Sequence, residues 1–275
     1  MPVRRLLPRR GRRTVGPWCF ADLFGPVPVA PEAPVAVGPH PHIGLQTVTW
    51  LLDGEQRHRD SLGSDQLIRP GQLNLMTAGS GVVHAEESLD YRGSIHGVQL
   101  WVALPDATRW CEPSFEHLPE LPEVVLGATV ATVLVGSFGG QRSPARADSP
   151  SVGVDLRLGP GTTRVPLDRS FEHAVLLLDG ELRVEDRPVP TGSMAWLGSH
   201  RNGVTLRAER EVRALLLGGI PFEEPLMMWW NFVARTAAEM ADARRQWSAG
   251  DPRFGPVATP LDRMAAPQLI PGIGK

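Results

Sequence analysis

Only two cysteines, Cys19 and Cys111, occur in 275 residues. Two distant thiols make no disulfide framework and suit a reducing compartment, so the cytoplasm is the expected location. No run of eighteen apolar residues exists, which excludes a helical membrane span. Lysine is nearly missing: Lys275 stands alone among 28 basic residues, a skew attributed to coding-base composition rather than to function. The formal net charge is −2, which argues against a chain built mainly to hold nucleic acid or an anionic membrane. Zinc-finger, RRM and helix-turn-helix signatures are absent, as is a G-x-S-x-G elbow, and neither cysteine has a histidine suitably placed for a nucleophilic pair. The first thirteen residues hold six arginines but no apolar stretch of signal-peptide length, so they are expected to form a solvated basic tail.

What is abundant is turn chemistry. Glycine (29) and proline (27) punctuate short runs rich in Val, Leu, Thr and Trp, the pattern of a strand-and-turn protein. Strands are expected over Leu45–Leu52, Leu73–Thr77, Ile95–Val102, Thr129–Gly136, Ala174–Leu178, Ser193–Leu197 and Val212–Leu217. Several are apolar throughout, as in a packed sandwich or barrel. A helix is expected over Arg235–Trp247, stopped by Gly250, with a smaller helical piece near Asp106–Cys111. Leu51-Leu52-Asp53-Gly54-Glu55 recurs as Leu177-Leu178-Asp179-Gly180-Glu181. Each copy runs an apolar strand into a D-G hairpin turn, and each continues through a Pro/Gly turn (Pro70-Gly71; Pro190 and Gly192) to another apolar strand. The chain therefore reads as two copies of one β-module joined near Pro119–Val125. The segment Gly139–Ser151 reads as a flexible surface loop in the second copy.

Chemistry concentrates in the first copy. His40 and His42 alternate with Pro39 and Pro41, and His84 alternates with Glu86. A strand repeats every two residues, so each pair shares a face. The prolines deny backbone donors and place their stretch at a strand start or sheet edge. On adjacent barrel strands the two pairs converge. Three imidazoles and a carboxylate suit a divalent transition ion such as Fe, Mn, Ni, Cu or Zn rather than Ca or Mg. His58 lies in a turn-like Arg57-His58-Arg59-Asp60 and is expected in solvent. His96, His117, His173 and His200 have no partner at ligand spacing. Trp50, Trp101 and Met76 are candidates for lining the site.

The stretch from Gly38 to Glu87 closely resembles the pirin family, through Pro39-His40-Pro41-His42-Ile43-Gly44, Thr47–Gly54, His58–Gly63 and Met76–Glu86. Gly16-Pro17 to Pro26, Gly218–Pro221 and Glu224-Pro225 resemble it as well. The resemblance implies an all-β bicupin: two tandem cupin-type β-sandwich barrels with a short C-terminal helix. It implies a metal-binding domain at 1–122 and a metal-free one at 123–275 that carries the helix and serves as a structural part, lid or dimer surface. It implies mononuclear iron, Fe(2+), held by His40, His42, His84 and Glu86. Many pirins carry a glutamate where this chain has Gln46, which strand counting from His42 places on the same interior face. Glu86 is then the candidate catalytic base.

Some pirins resemble quercetin 2,3-dioxygenases, which open a flavonol ring with O2 and release carbon monoxide. A flavonol and O2 are therefore the expected substrates. The alternatives are a redox-sensitive protein that binds a transcription factor or metabolic enzyme, and a cupin enzyme of another class acting on a small metabolite.

Overall fold

The computed structural model describes residues 2–269; residue 1 and residues 270–275, the outer ends of the two expected domains, lie outside the described residues. Ten strands come first: β1 (Val3–Leu7), β2 (Trp18–Val29), β3 (Ala36–His42), β4 (Leu45–Asp53), β5 (Gln56–Asp60), β6 (Asp65–Ile68), β7 (Leu73–Thr77), β8 (Val82–Glu87), β9 (Gly93–Ala103) and β10 (Ser114–Leu118). Eleven follow: β11 (Glu123–Leu126), β12 (Thr129–Phe138), β13 (Gln141–Arg142), β14 (Ser151–Leu158), β15 (Gly161–Pro166), β16 (Glu172–Asp179), β17 (Leu182–Val184), β18 (Arg187–Val189), β19 (Ser193–Gly198), β20 (Gly203–Ala208) and β21 (Val212–Gly219). The hairpin β22 (Met227–Trp229) and β23 (Phe232–Ala234) precedes the helix α1 (Ala237–Ala249). The fold is thus all-β with one short C-terminal helix, and every strand named from the sequence is present.

Two compact units divide the chain, one formed by Pro2, Phe24–His117 and 223–269, the other by Val3–Leu23 and Leu118–Phe222. This differs from the linear division at 122/123. At the N-terminus, Trp18 Nε1 donates to the carbonyls of Val152 (3.2 Å) and Gly218 (3.1 Å), and the Gly16 amide donates to Glu172 at 2.7 Å. These bonds tie the first residues to the second unit. The arginine-rich start is therefore no solvated tail: it forms β1, Leu6 and Leu7 are fully buried, Arg5 pairs with Asp22, and the Arg12 guanidinium lies 3.6 Å over the Trp196 ring.

In the first unit one sheet has the order β9-β4-β7-β10 with β2 beside β9, and the other is β3-β8-β5-β6. In the second unit the larger sheet runs β11-β12-β14-β21-β16-β19 and the smaller β15-β20-β17-β18. The pairings repeat: β4 lies between β9 and β7 as β16 lies between β21 and β19, and β3-β8-β5-β6 matches β15-β20-β17-β18. The two D-G turns occupy the same place in both, with Gly54 at φ +92° and Gly180 at φ +87°. A Cβ on Gly54 would sit 2.3 Å from the Ser94 carbonyl oxygen, so that turn accepts only glycine. The literal repeat in the sequence thus marks a repeated topology.

Two local expectations fail. The segment near Asp106–Cys111 is a run of turns: the Thr108 and Arg109 amides both bond the Pro105 carbonyl and the Cys111 amide bonds that of Thr108, too few turns to nucleate a helix. Gly139–Ser151 is not a plain surface loop. It contains the short β12–β13 pairing, and buried Ser143 donates to the Leu134 carbonyl at 2.7 Å.

Helix α1 begins at Thr236, whose hydroxyl accepts the Glu239 amide, and ends at left-handed Gly250. Its Met240, Ala243 and Trp247 pack with Trp229, Phe232 and Phe254 against Ile43 and Val83. Those last two residues neighbour His42 and His84 and point to the opposite face of their sheet. The helix therefore belongs to the first unit and backs the histidine strands. Among the described residues no helix is long and apolar enough to cross a membrane.

Trp247 is 1% exposed, and its Nε1 donates to the Met264 carbonyl at 3.0 Å. Trp247→Ala should cost about 3–5 kcal/mol in chemical denaturation. A loss below about 1 kcal/mol would show that α1 is not part of this core.

Candidate metal centre

Strand β3 is an edge strand, which its prolines require, and it pairs with β8 so that His40 faces His84 directly. On its other side β8 pairs with β5, setting His58 opposite Glu86 and Asp60 opposite His84. Three neighbouring strands thus present His40/His42, His84/Glu86 and His58/Asp60 to one interior. The donor atoms of His40, His42 and His84 all lie within 4.8 Å of one another, and all three residues are buried.

Burial pushes each of the three imidazoles down: His40 to about 4, and His42 and His84 well below the ordinary histidine value. They are therefore neutral, and each carries a single ring proton. The backbone fixes where two of those protons sit, because a carbonyl only accepts. His40 Nδ1 donates to the Gly38 carbonyl (2.9 Å) and His42 Nδ1 to the Asn231 carbonyl (3.0 Å). Both leave Nε2 as a lone pair. His42 Nε2 and His84 Nε2 face each other at 3.1 Å. That spacing is close to the roughly 3 Å edge spanned by two imidazole nitrogens bound about 2.1 Å from one ion. The donor set fits a divalent transition metal: three neutral imidazoles whose nitrogens converge, two of them with the second ring nitrogen anchored from behind by a carbonyl.

Glu86 lies beside the cluster. Its Oε1 accepts from Gln99 Nε2 at 3.0 Å and lies 3.4 Å from the Thr49 hydroxyl. That hydroxyl is 2.9 Å from the carbonyl oxygen of Gln99, which fixes the amide end that Gln99 offers Glu86. Burial raises the Glu86 carboxyl, against the lowering influence of His58, Gln99 and Thr49. Glu87 points the other way, as strand parity requires, to Arg59 (3.2 Å) and the Thr259 hydroxyl (2.8 Å).

His58 overturns its expected place in solvent. It is 4% exposed, stacks on Phe115 with ring centroids 4.2 Å apart, and lies with Nδ1 3.3 Å from His84 Nδ1. Its Nε2 is 3.0 Å from Asp60 Oδ2. Burial would raise the Asp60 carboxyl, but its hydrogen bonds with His58 and Ser64 hold it below the ordinary value. The signal was present in the sequence: in Gln56-Arg57-His58-Arg59-Asp60 the arginines alternate with the residues that turn inward, and the charge of the run masked its period of two.

Gln46 also departs from expectation. Thr47 and Thr49 share a sheet face with Trp101 and Gln99, their register partners, and Trp101 sets its ring edge on His42 at 5.2 Å. Gln46 alternates to the other face, where its amide donates to the Thr77 hydroxyl at 3.0 Å. Strand counting failed because Ile43 and Gly44 turn the chain between β3 and β4, which resets the parity. By the same alternation Trp101 and Met76 lie on the site's face of the sheet and Trp50 lies on the other. His117 bonds Asn74 at 2.7 Å, and His173 and His200 belong to the second unit.

Comparison with known proteins adds three findings. A family model described as Pirin matches residues 1–102, and one described as the Pirin C-terminal cupin domain matches residues 153–255. The chain is 46% identical over 268 residues, covering 97% of it and 84% of the relative, to a Pseudomonas aeruginosa protein provisionally named quercetin 2,3-dioxygenase; it is 38% identical to a Caulobacter vibrioides pirin-like protein, covering 90% and 88%. The solved structure of a quercetin 2,3-dioxygenase from Acinetobacter baumannii superposes with a TM-score of 0.95 at 45% identity, over 98% of this chain and 91% of that one. The order of strands, the paired barrels and the two family matches agree: this chain is a member of the pirin family, a bicupin.

Proposed function

We propose that the protein is a metal-dependent dioxygenase acting on a flavonol of the quercetin type. The observation that carries this reading is the convergence of three buried, neutral imidazoles beside a half-buried carboxylate within one barrel. His40, His42 and His84 would hold the ion through Nε2, with Glu86 as a fourth ligand, and iron(II) is the ion we assign. The two relatives named for quercetin 2,3-dioxygenase activity support the substrate class. The cytoplasm, where thiols stay reduced, suits a chain whose two cysteines form no disulfide.

When bound, the ion supplies Lewis acidity toward the substrate's oxygens and a redox-active centre for reaction with O2. The chain's own residues do the rest. Glu86, made more basic by burial, takes the proton of the flavonol 3-hydroxyl onto a carboxylate oxygen, and the Gln99 amide steadies that carboxylate through Oε1. Trp101 packs against His42 and Phe115 against His58, keeping water from the rings they touch.

Iron-loaded protein given quercetin and dissolved oxygen should release carbon monoxide as the flavonol absorbance falls. An unchanged absorbance with no carbon monoxide would refute the assignment. Glu86→Gln should keep most of the metal yet lower kcat roughly 10²–10⁴-fold, as loss of a general base does. His84→Ala should retain less than about a tenth of the wild-type metal in elemental analysis.

Acid should destabilise the metal-free chain in a defined window. Unfolded histidines take up protons from about pH 6.5 downward, while the folded chain excludes them until about pH 4 at His40 and until well below the ordinary histidine value at His42 and His84. The unfolded state therefore binds more protons between those values. Stability is complete above pH 6.5 and declines as pH falls below it. Thermal melts of metal-free protein should show Tm dropping from pH 6.5 to 4.5, and less steeply in His40→Gln; equal slopes in the two proteins would contradict the assignment.

A further inference from the structure

His40 and His42 have their ring protons placed by backbone carbonyls, which cannot do otherwise. His84 has no such carbonyl. Its Nδ1 faces another imidazole, which can either donate or accept, so its tautomer must be set one step further back.

We propose that Asp60 and His58 form a two-residue relay that holds His84 in the tautomer whose Nε2 is a lone pair. A carboxylate only accepts, so the 3.0 Å contact puts the His58 proton on Nε2, facing Asp60 Oδ2. In the neutral ring that the relay requires, His58 Nδ1 is the acceptor, and at 3.3 Å it accepts a hydrogen bond from His84 Nδ1–H. His84 Nε2 is left bare, 3.1 Å from the equally bare Nε2 of His42. Each link is buried: Asp60 is 3% exposed, His58 4% and His84 1%, so water does not compete for these protons. The stacking of Phe115 fixes the plane of the His58 ring. His58 and Asp60 are thus positioning residues, acting on the ion through His84. That consequence rests on the metal-centre reading above; the tautomer pattern does not.

Asp60 makes the relay testable by a single atom. Its Oδ1 accepts the backbone amides of Leu62 (2.9 Å) and Ser64 (3.0 Å). In Asp60→Asn those two donors compel the amide oxygen to stay at that position. The NH2 group must therefore replace Oδ2 and donate to His58 Nε2. The His58 proton moves to Nδ1, His84 must accept there, and its own proton moves to Nε2, where the ion would bind. The substitution keeps size, turn and hydrogen-bond count while reversing every proton in the chain.

The experiment uses full-length metal-free protein with 15N-labelled histidine, read by long-range 1H–15N correlation, together with iron(II) affinity by anaerobic chelator competition. Wild type should show the Nδ1–H tautomer at His84 and Nε2–H at His58. Asp60→Asn should invert both and bind iron(II) roughly 10–100-fold more weakly, the range seen for lost outer-shell partners, with Tm within a few degrees of wild type. His58→Gln offers an acceptor to His84 and a donor to Asp60, and should restore affinity to within about threefold, whereas His58→Phe should not. An Nε2–H tautomer at His84 in wild type, or unchanged affinity in Asp60→Asn, overturns the proposal. If Asp60→Asn fails to fold, equal affinity in His58→Gln and His58→Phe overturns it as well. A wild-type chain with the expected tautomers that binds no iron(II) removes the metal reading and leaves the relay standing.

Discussion

The structure turns on where three ring protons sit. A buried imidazole is neutral, and a neutral imidazole is a ligand on one nitrogen only. Convergence of three rings is therefore insufficient: each proton must be drawn to the far side, or the rings block the point on which they converge. Two backbone carbonyls and one imidazole do this for His40, His42 and His84. With all three protons withdrawn, lone pairs 3.1 Å apart repel unless a cation lies between them.

The acceptors come from unlike sources, which explains why distant segments of chain belong to one unit. Gly38 lies in a bulge: Val37 pairs with Glu86 and His40 with His84, so its carbonyl leaves the ladder and turns to the ring two residues on. The Asn231 carbonyl comes from the turn between β22 and β23, some 190 residues after His42. That turn is held by the Val233 amide on the Ile43 carbonyl at 3.1 Å and by the apolar packing of α1. Gly44, at φ +69°, permits this approach, since a Cβ there would lie 2.3 Å from the Val233 carbonyl oxygen. The C-terminal helix thus acts on the site through one hydrogen bond.

The sequence made some of this legible and hid the rest for physical reasons. Alternation at His40/His42 and His84/Glu86 was sufficient to place those residues on common faces, because a strand's period survives any tertiary context. The D-G repeat was sufficient to reveal the doubled topology, because that turn fixes a hairpin locally. His58 was missed since alternating arginines look like solvent exposure, although Arg57 and Arg59 only form the outer face of a strand whose inner face is buried. Gln46 was misplaced since parity does not carry across a turn. The Asn231 carbonyl left no trace in the sequence: a backbone acceptor has no residue type. The spatial division of the chain was equally hidden, because it depends on which apolar faces meet rather than on where they fall along the sequence.

Comparison of the two copies shows what distinguishes a site from a core on one topology. In the second unit the strands in the places of β3, β8 and β5 present Thr163 and Val165, Val204 and Leu206, and Leu182 and Val184, most of them merged into a single apolar cluster. There β15 pairs with β20 without interruption from Gly161 to Pro166, so no bulge frees a carbonyl toward the interior. Histidines substituted at those positions would be buried with ring protons that have no assigned acceptor, at the cost of an unsatisfied polar group. At His40 ligand residue and bulge are therefore coupled, because the bulge supplies the acceptor for that ring's proton. A metal centre on this fold cannot be transferred by its histidines alone. It requires the irregular backbone behind them, and in the first unit the edge prolines at 39 and 41 permit that irregularity by giving up the amide donors a regular strand would use.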